Sequence, residues 1–312
     1  MPNHIGQIPA AAALKFANKE ALVFEGKTFS FSDINDLVER LAGGLSDLGI
    51  VQGDTVTLYA ENSWEWVVSY FAIARLGAII NPVNTMLTPD EIEYVVRDCG
   101  AKAIIASPEK VDGIMGVKAV SDVSVIISFG SEIAKGTVSF EALIAANIPA
   151  PASINVDPAA LSTIGYTSGT TGHPKGAMQS HKAVITNGAM TSQMQMRSSQ
   201  DCVVSALPCP HVYANVIMMS MMMFGSKLVL HRTFDVELAF ADIAAHKATI
   251  FDGVPAMYMF MLNSPTLKDA DLSSLTRCYV GGQTMPVATM EAVEAAFQIP
   301  LIELWGMTEI AG

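Results

Sequence analysis

The sequence reads Tyr166-Thr167-Ser168-Gly169-Thr170-Thr171-Gly172-His173-Pro174-Lys175-Gly176, one residue after the short run Leu161 to Ile164. Glycines let a backbone approach a bulky anion, and consecutive N–H groups in such a loop form an anion-binding nest. The hydroxyls are neutral donors, and Lys175 is a mobile point charge suited to phosphate. The stretch therefore predicts binding of nucleotide phosphates.

Two other motifs do not fit this spacing. A Walker loop requires Gly, four residues and then Gly-Lys-Ser/Thr, whereas Gly169 is followed after four residues by Pro174. A nucleophile elbow requires Gly-x-Ser-x-Gly, and the residue two before Ser168 is Tyr166. A flexible Ser/Thr/Gly linker is the remaining alternative, but linkers rarely place Pro-Lys-Gly at the end of a hydroxyl run.

A second stretch, Leu304-Trp305-Gly306-Met307-Thr308-Glu309, lies near the last residue. The run 166–176 resembles the phosphate-loop signature of the adenylate-forming superfamily, which includes acyl-CoA synthetases, luciferases and peptide-synthetase adenylation domains. The run 304–309 resembles that family's second signature. The two signatures occur in the family's order, and the resemblance extends from near Phe29 to the last residue. Within the family, the chain resembles the fatty-acid–CoA ligase branch.

The resemblance implies roles for individual residues. Thr308 would donate its hydroxyl to the α-phosphate of ATP, and Glu309 would be a carboxylate ligand of Mg²⁺. Trp305 stands where the family usually has tyrosine, and an aromatic ring there still flanks adenine. Without the upstream loop, a Thr-Glu pair would be interpreted as a solvated turn. The nucleotide-binding residues implied are Thr167, Ser168, Gly169, Thr170, Thr171, Gly172, Lys175, Gly281, Gly282, Gln283, Trp305, Gly306 and Met307.

Two further segments carry alternatives. Gly281-Gly282-Gln283 contacts adenine and lines the acyl pocket in the family, although a simple turn is also consistent with it. His211, after Pro208-Cys209-Pro210, resembles the family's histidine near the acid-binding pocket, where it would contact the carboxylate or gate the pocket. A lone histidine is otherwise usually structural. Ala214 replaces a glycine of many relatives, which leaves the local backbone geometry open.

Composition limits the function classes. The 312 residues are 51% hydrophobic and carry a net charge of −12, which argues against nucleic acid because that binding depends on Lys and Arg. The four cysteines show no metal-type spacing, so we expect reduced thiols. We find no secretory leader and expect a cytoplasmic protein. The methionine-rich run 216–224 is too short to span a bilayer and predicts a buried helix.

Alternating apolar patterns predict an α/β fold with two mostly parallel sheets built from βαβ units and flanked by helices. We expect a first α/β region over residues 1–155 and a second over 156–312, with the two interleaved. Residues 108–158 read as less regular. The resemblance implies that the chain is the N-terminal portion of the family's fold, without its barrel and its C-terminal domain.

These observations predict part of an acid–CoA ligase that uses ATP, Mg²⁺ and CoA with a small carboxylic acid. We expect a fatty acid, because two stretches resemble those of fatty-acyl ligases: Glu61-Asn62-Ser63-Trp64-Glu65-Trp66 and Asn81-Pro82-Val83-Asn84. An aromatic acid is the alternative. The alternative hypothesis from a different class of function is a non-catalytic module that binds nucleotide or acyl ligands. The oligomeric state is left open, with a homodimer as one expectation.

Overall fold

The computed structural model describes residues 2–130, 133–152, 154–167 and 174–312. Within them the strands are β1 Glu20–Phe24, β2 Lys27–Ser30, β3 Thr55–Tyr59, β4 Ile79–Pro82, β5 Ala101–Ala106, β6 Val125–Ser128, β7 Val138–Ser139, β8 Leu161–Thr167, β9 Lys175–Ser180, β10 Cys202–Ser205, β11 Lys227–Leu230, β12 Ile250–Gly253, β13 Arg277–Val280 and β14 Leu301–Glu303. The α-helices are α1 Ile8–Phe16, α2 Phe31–Asp47, α3 Trp64–Arg75, α4 Pro89–Asp98, α5 Pro108–Ile114, α6 Phe140–Ala145, α7 His181–Met194, α8 Val212–Phe224, α9 Val236–His246, α10 Pro255–Asn263 and α11 Val287–Phe297.

The strands of the described residues form two seven-stranded sheets. Sheet 1 has the order β14-β13-β12-β10-β11-β1-β2, and sheet 2 has the order β7-β6-β5-β3-β4-β8-β9. All neighbours pair in parallel except the two edge hairpins, β1–β2 and β8–β9. The predicted fold class, two mostly parallel sheets with flanking helices, is confirmed.

Each sheet takes one hairpin from the other half of the chain. The early strands β1 and β2 join sheet 1, where β1 pairs with β11, and the later strands β8 and β9 join sheet 2, where β8 pairs with β4. The carboxyl ends of β4 and β8 are thereby brought side by side, although about 80 residues separate them in the sequence. The division near residue 155 stays a prediction.

One continuous apolar core joins the two sheets. It contains buried side chains from α2, α3 and α8 and from strands of both sheets, with Trp66, Tyr70 and Phe71 of α3 almost fully buried. A second, smaller cluster covers the other face of sheet 2 beneath α4 and α5. In β5, Ile105 faces the main core and Ile104 faces the second cluster, as expected when successive side chains of a strand alternate between faces.

Local sequence signals place the helix ends. Ser63 caps α3 by accepting a hydrogen bond from the Trp66 backbone N–H. Thr88 and Glu91 form a capping box at the start of α4, with Pro89 at the first helical position. The methionine-rich run lies in α8, which is buried along most of its length, as predicted. No helix among the described residues is long and apolar enough to cross a membrane.

Two parts of the fold differ from the sequence interpretation. Among its described residues, the region 108–158 contains four α-helices and strands, α5, β6, β7 and α6. All four are short, from two to seven residues, so they carry too few turns or alternations for a periodic signal. Lys175 is not in an open loop but is the first residue of β9. The strand KGAMQS has few residues with high β propensity, so the sequence alone does not predict it. Antiparallel pairing with β8 stabilises it as a strand.

Candidate active site

A cavity of about 450 Å³ lies where strands of both sheets end. Sheet 2 contributes residues at the ends of β4 and on β8, and sheet 1 contributes the segments that follow β10, β12 and β13. Open parallel sheets place their ligands at the carboxyl ends of the strands. The walls combine apolar side chains with a few polar groups, which is typical of a small-molecule site.

The hairpin β8–β9 carries the first signature stretch. Thr167 ends β8 and Lys175 begins β9, and these two residues pair across the hairpin. Lys175 therefore lies on the edge strand of sheet 2, opposite Thr167. Ser168, Gly169, Thr170, Thr171 and Gly172 lie outside the described residues.

The second signature stretch contacts this hairpin directly. Thr308 begins a 3₁₀ turn, Thr308–Ile310, which lies beside β8 and β9. The Gln179 Nε2 of β9 donates to the Thr308 carbonyl at 2.6 Å. A Cβ atom on Gly165 of β8 would lie 2.9 Å from the Thr308 Cγ2, so the missing side chain permits this approach. Two stretches some 130 residues apart therefore meet at one edge of the cavity.

The predicted site residues divide into two groups. His211, Gly282, Gln283 and Thr308 line the cavity together. The remaining described ones do not line it but lie on the surface near the two signatures or behind the cavity wall: Thr167, Lys175, Gly281, Trp305, Gly306, Met307 and Glu309. Trp305 is 81% exposed, so its ring is free to stack on a ligand.

His211 occupies the N-cap of α8 and faces the cavity. Its Nδ1 accepts a hydrogen bond of 3.2 Å from the Tyr213 backbone N–H. An accepting Nδ1 places the proton of the neutral ring on Nε2. Desolvation by the cavity walls lowers the pKa of His211 below its ordinary value, which keeps the ring neutral near pH 7. His211 is therefore a neutral N–H donor at the cavity.

Behind His211, Tyr213 joins the cavity wall to a buried ion pair. The Tyr213 hydroxyl donates to the Asp252 carboxylate at 3.1 Å. The Arg197 guanidinium contacts both oxygens of that carboxylate at 2.8 Å, and both charged side chains are fully buried. Burial and the neighbouring Asp252 raise the pKa of Tyr213 well above its ordinary value, so the phenol stays protonated and remains a donor.

The glycine pair after β13 lies against the same wall. A Cβ atom on Gly281 would lie 3.2 Å from the Tyr213 ring and 3.5 Å from the Leu304 Cβ, so a larger residue would press on Tyr213. Gly282 adopts a φ of +83°, a conformation that side chains other than glycine rarely take. These glycines allow the backbone of 281–283 to bend around the cavity.

Sequence reasoning missed several residues that build the site. Gln179 and Tyr213 lie in ordinary strand and helix contexts, so their roles depend on tertiary contacts that no local pattern reveals. Asn81 donates from its amide to the Ile164 carbonyl at 2.9 Å and joins β4 to β8. In the segment that begins with Asn81, Pro82 and Asn84 line the cavity.

The described residues contain no cluster of three or more His, Cys, Asp or Glu side chains that could hold a metal ion. Glu309 is exposed beside Thr308. Magnesium commonly binds through one or two carboxylates together with substrate phosphates. Glu309 provides one exposed carboxylate next to Thr308, which fits that mode of magnesium binding.

Comparisons with known proteins agree with this geometry. A profile described as "AMP-binding enzyme" matches residues 10–312. An indoleacetate–CoA ligase from Aromatoleum aromaticum is 31% identical over 98% of this chain and 58% of its own length. A long-chain-fatty-acid–CoA ligase from Bacillus subtilis is 29% identical over 99% of this chain and 60% of its own length.

The fold has a matching solved structure. The crystal structure of an anthranilate CoA ligase in complex with anthranoyl-AMP superposes with a TM-score of 0.94 at 26% identity, covering 100% of this chain and 62% of that one. The chain thus spans 58% and 60% of the length of the two curated relatives described above.

Proposed function

The chain belongs to the AMP-binding enzyme family, and on that premise we propose that it is the N-terminal part of an ATP-dependent carboxylic acid–CoA ligase. The observation that carries the proposal is the contact between the two signature stretches at the cavity. Thr308 lies against the hairpin whose loop carries the phosphate-binding sequence, and the same cavity contains His211. A phosphate site and an acid site would therefore share one cavity.

The proposed reaction has two steps. A carboxylate oxygen of the acid attacks the α-phosphorus of ATP, the bond to the bridging oxygen breaks, and pyrophosphate leaves with the electron pair. The sulfur of CoA then attacks the carbonyl carbon of the acyl-adenylate, AMP leaves, and the thiol proton passes to solvent. Neither step needs a protein nucleophile, and stabilisation of charge at phosphorus is the main requirement.

Each residue has a part in this scheme. The His211 Nε2–H would donate to the acid's carboxylate and orient one oxygen toward phosphorus. The Thr308 hydroxyl would donate to an α-phosphate oxygen. Lys175, at the base of the loop, would place its ammonium near the β- and γ-phosphates. Gly282 and Gln283 would support the adenine, with the exposed Trp305 ring against its edge or face.

Glu309 would hold Mg²⁺, which neutralises phosphate oxygens when bound. The carboxylate is exposed next to Thr308, and no hydrogen bond within the described part of the chain occupies it. Its oxygens are the hard ligands that Mg²⁺ prefers. Glu309→Gln would keep the shape of the side chain and remove its charge.

The acid would be apolar. The cavity volume of about 450 Å³ lies in the usual range for small-molecule sites, and Leu207, Val254 and Ala256 contribute apolar surface to it. Fatty and aromatic acids both satisfy this description. A fatty acid remains our expectation from the sequence, with an aromatic acid as an equal alternative, because relatives of both kinds are similar to this chain.

Pyrophosphate release tests the proposal, measured with MgATP and a panel of aliphatic and aromatic acids. It compares this chain with a version extended to the full length of its relatives. We expect turnover by the extended protein with a subset of acids, and loss of turnover in Lys175→Ala and Thr308→Val. Binding of ATP without release by either version would favour the binding-module alternative, and failure to bind ATP would overturn both.

A further inference from the structure

Asn62 lies between β3 and α3, is 3% exposed, and makes three hydrogen bonds to backbone atoms of sheet 1 segments. Its Nδ2 donates to the Leu207 carbonyl and to the His231 carbonyl, both at 2.9 Å. Its Oδ1 accepts from the Cys209 backbone N–H at 2.7 Å. Both amide hydrogens and the carbonyl oxygen are therefore used.

The segment Leu207–His211, which we call the histidine segment, lines the cavity along its whole length. Pro208 and Pro210 have no backbone N–H, so the segment has three backbone donors. Leu207 donates to the Ser205 hydroxyl and His211 donates to the Pro208 carbonyl, both of which are local contacts. The third donor, Cys209, bonds to Asn62.

Asn62 is thus the residue through which this segment is hydrogen-bonded to the chain outside β10 and α8, as far as the described residues extend. Its contacts bracket Pro208 on both sides, at Leu207 and at Cys209. Its third contact, to His231, ties the ends of β10 and β11 together. The side chain therefore fixes both the position of the segment and the spacing of the strands that support it.

We propose that Asn62 is a positioning residue that sets the place of the His211 ring at the cavity. Asn62 does not line the cavity and so does not touch the substrate itself. It acts through the histidine segment. Because Asn62 fixes Leu207 and Cys209, and because Pro210 and the start of α8 restrict the backbone that follows, the backbone of His211 has little conformational freedom. Loss of these bonds would let the segment move outward, and His211, which is already partly exposed, would lose more of its contact with the cavity wall.

The surroundings of His211 make its pKa a useful reporter. Tyr166, Cys209 and Tyr213 are the other titratable side chains lining the cavity within the described residues. Burial raises the pKa of each of them, so all three are neutral near pH 7. Desolvation is the cause that lowers the pKa of His211, and a looser segment would relieve it.

The test is an NMR titration of the His211 ring in this chain, labelled at histidine Cε1 and assigned with His211→Gln. In Asn62→Ala we expect the His211 pKa to rise toward the ordinary value of about 6.5, and the Cys209 amide to exchange with solvent faster than in the wild type. An unchanged His211 pKa together with an unchanged Cys209 exchange rate would overturn the proposal.

Asn81→Ala is the matched control. Asn81 is buried like Asn62; it accepts a hydrogen bond from the Thr57 hydroxyl and donates one to the Ile164 carbonyl, both at 2.9 Å, on the sheet 2 side of the cavity. We expect a similar loss of thermal stability but no change in the His211 pKa. An equal pKa rise in both variants would assign the effect to general loosening and would also overturn the proposal.

Asn62→Asp serves if Asn62→Ala does not fold. Aspartate keeps the acceptor for Cys209 but loses the donors to Leu207 and His231, and we expect faster amide exchange at His211 than in the wild type. Wild-type exchange there would contradict the proposal. The consequence for turnover rests on the proposed function, and Asn62→Ala in the extended enzyme should raise KM for the acid more than KM for ATP. The NMR result does not depend on activity, so the two hypotheses fail separately.

Discussion

The Gln179 side-chain amide donates a hydrogen bond of 2.6 Å to the backbone carbonyl of Thr308, across 129 positions of sequence. This bond joins the hairpin of the first signature stretch to the turn of the second. The proposed site needs both stretches, because the first carries the proposed phosphate donors and Lys175 while the second carries Thr308 and Glu309. The bond therefore holds the Thr308 turn against the edge of sheet 2, and the candidate site depends on that contact.

Replacing Gln179 with leucine tests that link. Leucine is apolar and of comparable size but cannot donate a hydrogen bond, so the Thr308 carbonyl loses its partner, at a cost of about 1–3 kcal/mol for a buried group. We expect a lower midpoint in chemical denaturation and weaker ATP binding by calorimetry. Gln193→Leu, on the exposed side of α7, is the control and should change neither. Wild-type ATP affinity in Gln179→Leu would show that the turn holds its place without this bond.

Gly165 and Thr308 make a second, steric prediction. A methyl group on Gly165 would lie 2.9 Å from the Thr308 Cγ2, so Gly165→Ala should displace the turn and cost about 1–3 kcal/mol through overpacking. Serine at 308 lacks that methyl group and keeps the hydroxyl. Thr308→Ser should therefore restore most of the stability and the ATP affinity lost in Gly165→Ala.

The double variant decides the interpretation. Additive losses in Gly165→Ala/Thr308→Ser, measured by urea denaturation, would mean that the methyl group does not meet Thr308. A recovery in stability without recovery in ATP affinity would mean that the turn packs correctly but does not contact nucleotide. Residues in contact are expected to deviate from additivity.

Sequence patterns predicted the parts of this structure that depend on neighbouring residues. The buried α8 was predicted from its own methionine-rich run, and the capping box at Thr88 and the hairpin around Gly26-Lys27 likewise involve only residues within a few positions of one another. The cavity residues His211, Gly282, Gln283 and Thr308 came from the resemblance of motifs and not from local physics. Their meeting depends on strands exchanged between the two sheets.

What the sequence could not show are the contacts between distant segments. Asn62 has a polar side chain beside the cap residue Ser63, and nothing nearby indicates its bonds to Leu207 and Cys209. Likewise Asp252 lies in a strand of apolar residues, and its partner Arg197 follows α7 by three positions. Pairing of this kind is decided by the topology, which short-range periodicity does not encode.

The buried ion pair behind the cavity is predicted to be costly to break. Asp252→Ala leaves the fully buried Arg197 charge without its carboxylate, and such a loss typically costs about 3–5 kcal/mol. Tyr213→Phe removes one hydrogen bond and keeps the ion pair, so we expect about 1 kcal/mol. Glu25→Gln, in the exposed pair with Arg232, is the control and should cost about 0–1 kcal/mol. Equal losses for the buried and the exposed pair in urea denaturation would contradict this ranking.

Acid should destabilise the fold through two buried histidines. His4 and His181 are 3% and 0% exposed, and their rings meet edge to face at 5.7 Å between centroids. Burial, with His4 as a second cause, lowers the pKa of His181 to about 4, and burial followed by Arg75 lowers that of His4. The folded state thus holds both rings neutral, and the unfolded chain binds protons first as the pH falls.

The sign follows from this difference. The stabilisation is fully present above the unfolded pKa of about 6.5 and is lost as the pH falls toward about 4, by roughly 3 kcal/mol for His181 alone. His181→Asn retains an acceptor for the Ile5 backbone N–H, which His181 Nδ1 now provides at 3.3 Å, and does not titrate. Its unfolding free energy, measured with urea from pH 8 to pH 4.5, should therefore fall less steeply than that of the wild type. At pH 8 residue 181 is neutral in both proteins, so the difference between their unfolding free energies there measures packing alone. If that difference stays constant down to pH 4.5, His181 titrates normally and the prediction is wrong.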